Sequence, residues 1–256
     1  MKFRSSLLRL LGVVSAVAAL GGCASNPRDP LEPMNRKVYA FNDAVDRAVL
    51  KPVATAYRDT VPSPVRTGVT HFFSNLSDAW SAINAFLQFK AEAGLRNTMR
   101  FSMNTFLGLG GLLDIATEAG IEPQYEDFGQ TLARWGMGSG PYVVLPLLGP
   151  STLRDTAALP LDMKAAGYAF RHDPQTQFGL NGLRLVNARA RALSVTSMIG
   201  DAALDPYLFV RDAYLQRRLN LVHDGDPPDN GDSYEDGEEL DDPSVEPSGA
   251  APVSTD

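Results

Sequence analysis

The sequence is short of cysteine, of histidine and of any uninterrupted membrane-length apolar helix. One cysteine in 256 residues rules out an intramolecular disulfide. A secreted fold of this size must then be held by its core, a membrane or a partner. His71, His172 and His223 stand alone without a second ligand at metal spacing, which argues against a zinc site. No cluster of Lys and Arg with interleaved aromatics occurs, so nucleic acid is not an expected partner. There is no phosphate loop and no Gly-x-Gly-x-x-Gly. Gly136-Met137-Gly138-Ser139-Gly140 misses the Gly-x-Ser-x-Gly elbow because Met137 stands where a glycine is needed. What is present, 44% hydrophobic and 21% charged residues, excludes wholesale disorder and a multi-pass membrane protein.

Three segments differ in character. Residues 1–22 read as a secretory signal: Lys2, Arg4 and Arg9 precede an apolar run from Leu10 to Leu20. Those eleven residues span only about 16 Å as a helix, short of a ~30 Å bilayer core. The run ends in Leu20-Gly21-Gly22-Cys23, which resembles a bacterial lipobox, and the only cysteine sits where acylation requires it. Ala24 and Ser25 follow. Without Asp after the lipidated residue, sorting favours the outer membrane. At the other end, residues 224–256 hold twelve acids, no Lys or Arg, and five prolines. Such a stretch is expected to be a disordered acidic tail. Between these ends the charge nearly balances: 20 basic residues (23 less the three in the leader) against 18 acidic ones (30 less the twelve in the tail). The overall acidity therefore says nothing of the body's partners.

The body, 34–223, reads as helical after a tether over 23–33. Val38, Phe41, Val45 and Val49 form an apolar stripe that Pro52 is expected to stop. Leu76, Trp80, Ile83 and Leu87 make another, and Leu95, Met99, Met103 and Phe106 a third. Stripes of this kind usually face a core, and a membrane-facing surface is the other option. Asp205-Pro206 is placed to open a last helix. Arg154-Asp155 is expected to be an ion pair or cap at a helix start, and Glu126-Asp127 to be solvated or capping.

Residues 135–153 carry no charge, yet Gly136, Gly138, Gly140, Pro141, Pro146, Gly149 and Pro150 forbid a regular helix. Irregular backbone at membrane depth is tolerated only where protein buries it or where it lines a cavity. This segment is therefore either a buried loop or a hairpin lining a channel.

Asp29-Pro30-Leu31-Glu32-Pro33-Met34-Asn35-Arg36, Tyr39-Ala40-Phe41-Asn42, Asp127-Phe128-Gly129-Gln130-Thr131-Leu132, Gly138-Ser139-Gly140-Pro141-Tyr142 and Asp205-Pro206-Tyr207 follow one another in the order of the MlaA/VacJ lipoproteins. The chain resembles that family over roughly residues 23–220. The resemblance implies an all-α, ring-shaped multi-helix body embedded in the membrane, with a central channel. It implies removal of mislocalised phospholipids from the outer leaflet of the outer membrane, from the periplasmic side. The implied partners are trimeric porins and a periplasmic carrier, MlaC, with no enzyme activity and no cofactor beyond the lipid on Cys23. A lipid-anchored hydrolase and a structural envelope lipoprotein are the competing classes. On this reading Ser139, Gly140, Pro141, Tyr142, Val143, Val144, Leu145, Leu147 and Leu148 are candidates to line the lipid path. Phe41, Asn42, Gly136 and Gly138 are candidates to gate it, Asn42 because it puts an amide beside an apolar stripe.

Overall fold

A computed structural model describes residues 29–168 and 174–228. The leader, Cys23 with its lipobox, and the tail beyond residue 228 lie outside the described residues.

The chain is mostly helical. It begins with α1 (Glu32–Val45), a π-helical turn (Asp46–Leu50) and α2 (Lys51–Thr60). Pro33 sits in the first turn of α1, where its missing N–H is no loss. The expected stop at Pro52 does not occur. The π turn ends on a bond from the Lys51 N–H to the Asp46 carbonyl, and Pro52 falls in the first turn of α2, so no interior bond is forfeited. The expected tether is also shorter than 23–33. Asp29 is buried, and the chain is folded from there.

Next come α3 (Ser63–Leu87), α4 (Ala91–Phe106), the short α5 (Ile115–Glu118) and α6 (Phe128–Arg134). Asp114 caps α5 through the Thr117 N–H and Asp127 caps α6 through the Gln130 N–H. Two strands, β1 (Tyr142–Leu145) and β2 (Gly149–Thr152), form an antiparallel hairpin with Tyr142 opposite Thr152 and Leu145 opposite Gly149. This hairpin is the one departure from an all-α chain among the described residues. It falls inside the charge-free stretch. Three helices finish the chain: α7 (Leu153–Tyr168), α8 (Pro174–Ala202) and α9 (Pro206–Val222). Asp205 opens α9 as expected, accepting from the N–H groups of Tyr207 and Leu208.

The packing inverts the usual soluble arrangement. Where α3 and α4 meet, the buried side chains are the small Ala82, Ala85 and Ala93 and the polar Asn75, Asp78, Ser81, Asn84, Asn97, Arg100 and Asn104. Ser81, Asn97, Arg100 and Asn104 serve the irregular chain between α4 and α6. Asn97 pairs with the backbone of Gln124 in both directions, Ser81 with that of Glu126, and Asn104 accepts from the Ala116 N–H. Arg100, 1% exposed, reaches Asp78, Asp114, Thr117 and the Ile121 carbonyl. Meanwhile the apolar stripes point outward: Ile83, Leu95, Met99 and Phe106 are half or more exposed, Phe106 at 83%. These positions are therefore not core, while Leu76, Trp80 and Met103 of the same stripes are half-buried. Unpaired backbone in the 107–127 segment would carry a desolvation penalty, and the polar faces of α3 and α4 remove it.

Glu126 and Asp127 are not solvated. Glu126 is buried against Lys90 at 2.9 Å, and Asp127 pairs with Arg218 of α9. Arg154 does pair with Asp155, at the start of α7.

Candidate functional site

The hairpin is seated on α1 by two asparagines. Asn35 and Asn42 lie seven residues apart, two turns or about 10.5 Å along the helix. They therefore share a face with Val38. Asn35 donates to the Tyr142 carbonyl (3.0 Å) and accepts from the Val144 N–H (2.9 Å), as a neighbouring strand would. Its second amide hydrogen goes to Asp29 (2.8 Å). Asp29 also accepts from the Tyr207 hydroxyl. Burial, then that bond, pushes the Tyr207 phenol well above its ordinary range. Asn42 donates to the Leu145 carbonyl (2.9 Å) and accepts from the Leu147 N–H (2.7 Å). Leu147 holds φ of +64°, a conformation that a branched side chain rarely adopts, and the Asn42 bond fixes it there.

Above this seat is a cavity of about 860 Å³, lined by α1, the π turn, the hairpin, α8 and α9. That volume is large enough for a substantial ligand. Its lining mixes apolar side chains, from Tyr39, Ala40, Val144, Pro150, Tyr207 and Val210, with charged ones that are mostly self-neutralised. Arg36 pairs with Asp205 at 2.9 Å and stacks over the Tyr207 ring at 4.4 Å. Arg189 grips Asp46 through two bonds of 2.6 and 2.7 Å. These carboxylates raise both guanidinium pKa values, while Arg36 holds Asp205 below the usual carboxylate range. Arg47 pairs with Asp43 at 2.9 Å across exposed side chains, a bond of little strength. Lys51, at the start of α2, also lines the cavity and has no ion-pair partner among the described residues. Apolar side chains interleaved with charged ones suit a ligand with apolar tails and an anionic head.

The candidate residues separate clearly. Val144 and Asn42 border the cavity. Tyr142, the first residue of β1, is buried with Val144 and Tyr207, its hydroxyl without a partner among the described residues. Pro141, Val143 and Leu145 are half-buried. Leu147 and Leu148 project from the turn, and Gly136, Gly138, Ser139 and Gly140 form an exposed approach to the hairpin. Phe41 is 51% exposed and does not line the cavity, although its neighbours Ala40 and Asn42 do. Cys23 lies outside the described residues. Asn35, Arg36, Asp46, Lys51 and Arg189 escaped the sequence reading as site residues. The pair of asparagines two turns apart on an apolar stripe was a signal that could have found Asn35. Arg189 and Asp46 are distant in sequence and gave none.

Comparison with known proteins bears on this site. The family model described as MlaA lipoprotein matches residues 27–221. The "Intermembrane phospholipid transport system lipoprotein MlaA" of Escherichia coli (strain K12) is 36% identical over 229 residues, 86% of this chain and 90% of its own length. The protein of the same name from Haemophilus influenzae is 34% identical over 239 residues, 88% of this chain and 93% of its own. A solved structure described as "Structural basis for maintenance of bacterial outer membrane lipid asymmetry" superposes with a TM-score of 0.63 at 35% identity. It covers 76% of this chain and 98% of that one.

Proposed function

Since the chain belongs to the MlaA lipoprotein family, we propose that it withdraws misplaced phospholipids from the outer leaflet of the outer membrane and so maintains lipid asymmetry. The observation that carries this reading is the cavity of about 860 Å³ whose lining combines apolar and charged side chains. It suits a phospholipid in transit: tails against Tyr39, Val144 and Val210, phosphate toward Lys51 and Arg47. The lipid does not react. It moves from one apolar environment to another while its head stays among polar groups, so its passage needs no acid–base pair. The ring and central channel expected of the family belong to this proposal, as do anchoring through Cys23 on the periplasmic side, association with trimeric porins and delivery to MlaC.

Outward apolar stripes support a body set in lipid. No described helix is long and apolar enough to cross a membrane. Exposed residues such as Leu95, Met99 and Phe106 would instead meet acyl chains of one leaflet. The hairpin, held by Asn35 and Asn42, is placed to shape the cavity's entrance. The experiment measures outer-leaflet phospholipid in cells lacking the chain and in cells in which it is restored. Accumulation on loss and reversal on restoration are expected. Unchanged asymmetry in cells lacking the chain would overturn the reading.

A further inference from the structure

A second, smaller cavity of about 70 Å³ lies between α3, α7 and α8, apart from the hairpin. In the same measure one water needs roughly 10–15 Å³, so the space admits a small polar group of several atoms. Its wall is aromatic, from Phe73, Trp80 and Tyr125, and it holds one acid, Asp162, and one base, Arg184. Asp162 uses a single oxygen for its bonds: Oδ1 accepts from Trp80 Nε1 at 2.8 Å and from the Phe128 N–H at 3.0 Å. Oδ2 has no partner among the described residues. Arg184 likewise makes no ion pair there. The nearby Asp127 and Arg218 satisfy each other at 2.6 Å and neutralise neither. Burial raises the Asp162 carboxyl above its ordinary range, against the pull of the Phe128 and Trp80 hydrogen bonds.

An aromatic wall with a free carboxylate oxygen is suited to an ammonium, and a free guanidinium to a phosphate. We propose that this cavity is a headgroup site for phospholipids bearing an ammonium: the ammonium on Asp162 Oδ2 against Trp80, the phosphate on Arg184, and the tails leaving over Leu76. This rests on the phospholipid reading above and adds a preference to it. An uncharged glycerol headgroup leaves Asp162 unpaired and binds less tightly. α8 joins the two sites, since Arg184 and Arg189 are about 7.5 Å apart along its axis.

The test uses the full-length lipidated protein in detergent, with Trp135→Phe so that Trp80 is the only tryptophan. Dihexanoyl phosphatidylethanolamine, dihexanoyl phosphatidylglycerol and tail-free glycerophosphoethanolamine are titrated against Trp80 fluorescence. The ethanolamine lipid should bind about tenfold more tightly than the glycerol lipid. Asp162→Asn should abolish that preference with glycerol-lipid affinity retained, and Arg184→Gln, at an exposed position, should weaken both lipids. Equal affinity of the wild-type protein for the two lipids overturns the proposal. So does tail-free glycerophosphoethanolamine binding as tightly as the lipid. If Asp162→Asn does not fold, the wild-type comparison and Arg184→Gln decide. Because binding is read on isolated protein, its failure is separable from a failure of the cell-based asymmetry measurement.

Discussion

At the scale of single residues, the side chains that fix this molecule are polar and buried. Arg100 lies between two carboxylates whose environments part their titration. Burial pushes Asp78 up to about 6, against the pull of Arg100. Burial also acts to raise Asp114, but hydrogen bonds from Thr117 and Asn104 and the charge of Arg100 outweigh it and hold that group at about 2. The signs are opposite. Asp78 binds its proton more tightly folded than unfolded, so its contribution to stability falls as pH rises from about 4 to 6. Asp114 binds its proton less tightly folded, so its contribution is lost as pH falls from about 4 toward 2. Asp78→Asn should therefore flatten the upper limb and leave the lower one. Thermal melts from pH 3 to 7 check this, and an unchanged slope between pH 4 and 6 would refute it. Asn42 makes a second residue-scale prediction. Asn42→Ala removes both bonds to the hairpin turn and should destabilise it by about 1–2 kcal/mol. Amide hydrogen exchange at Leu147 should accelerate, whereas the buried amide of Val144, held by Asn35, should not.

Among the elements, the hairpin shows what could be read in the sequence and what could not. The run of glycines and prolines excluded a helix over residues 135–153, and Asp205-Pro206 marked the start of α9. These are local signals, and the chain folds as they indicate. Pro52 misled because its effect depends on the turn before it, and a π turn has no composition of its own. The stripes of α3 and α4 were visible, but their direction was not. Periodicity shows that Leu95, Met99 and Phe106 share a face, and only the tertiary packing shows that the opposite face, with Asn97, Arg100 and Asn104, is the buried one. The cavity was half legible for the same reason: Asn42 lay on a suspect stripe, while the Asp46–Arg189 pair joins positions 143 residues apart. The hairpin turn also gives a prediction of its own. Leu147 is 62% exposed at positive φ, so glycine there relieves strain and loses little packing. Leu147→Gly should raise stability by about 1 kcal/mol. A lower melting temperature would mean that the leucine contacts something the folded chain needs.

For the whole molecule, the exposed apolar residues and the cavity make one physical case. A protein with polar contacts between its helices and leucine, methionine and phenylalanine outside loses little by resting in acyl chains, and the charged side chains of its cavity are then the polar surface a headgroup needs. If lipids pass through that cavity, filling it must stop them without unfolding the protein. Ala40 provides the means, because it lines the cavity from α1 and is itself exposed. Ala40→Trp should therefore fold, reach the outer membrane and accumulate normally, yet outer-leaflet phospholipid should rise toward the level of cells without the protein. Val210→Trp, entering from α9 on the opposite chain terminus, should do the same. The two substitutions share no contact in sequence, so only a common space explains a common defect. Lipid asymmetry preserved with both tryptophans in place, in protein of normal abundance, would mean that the phospholipid takes another route.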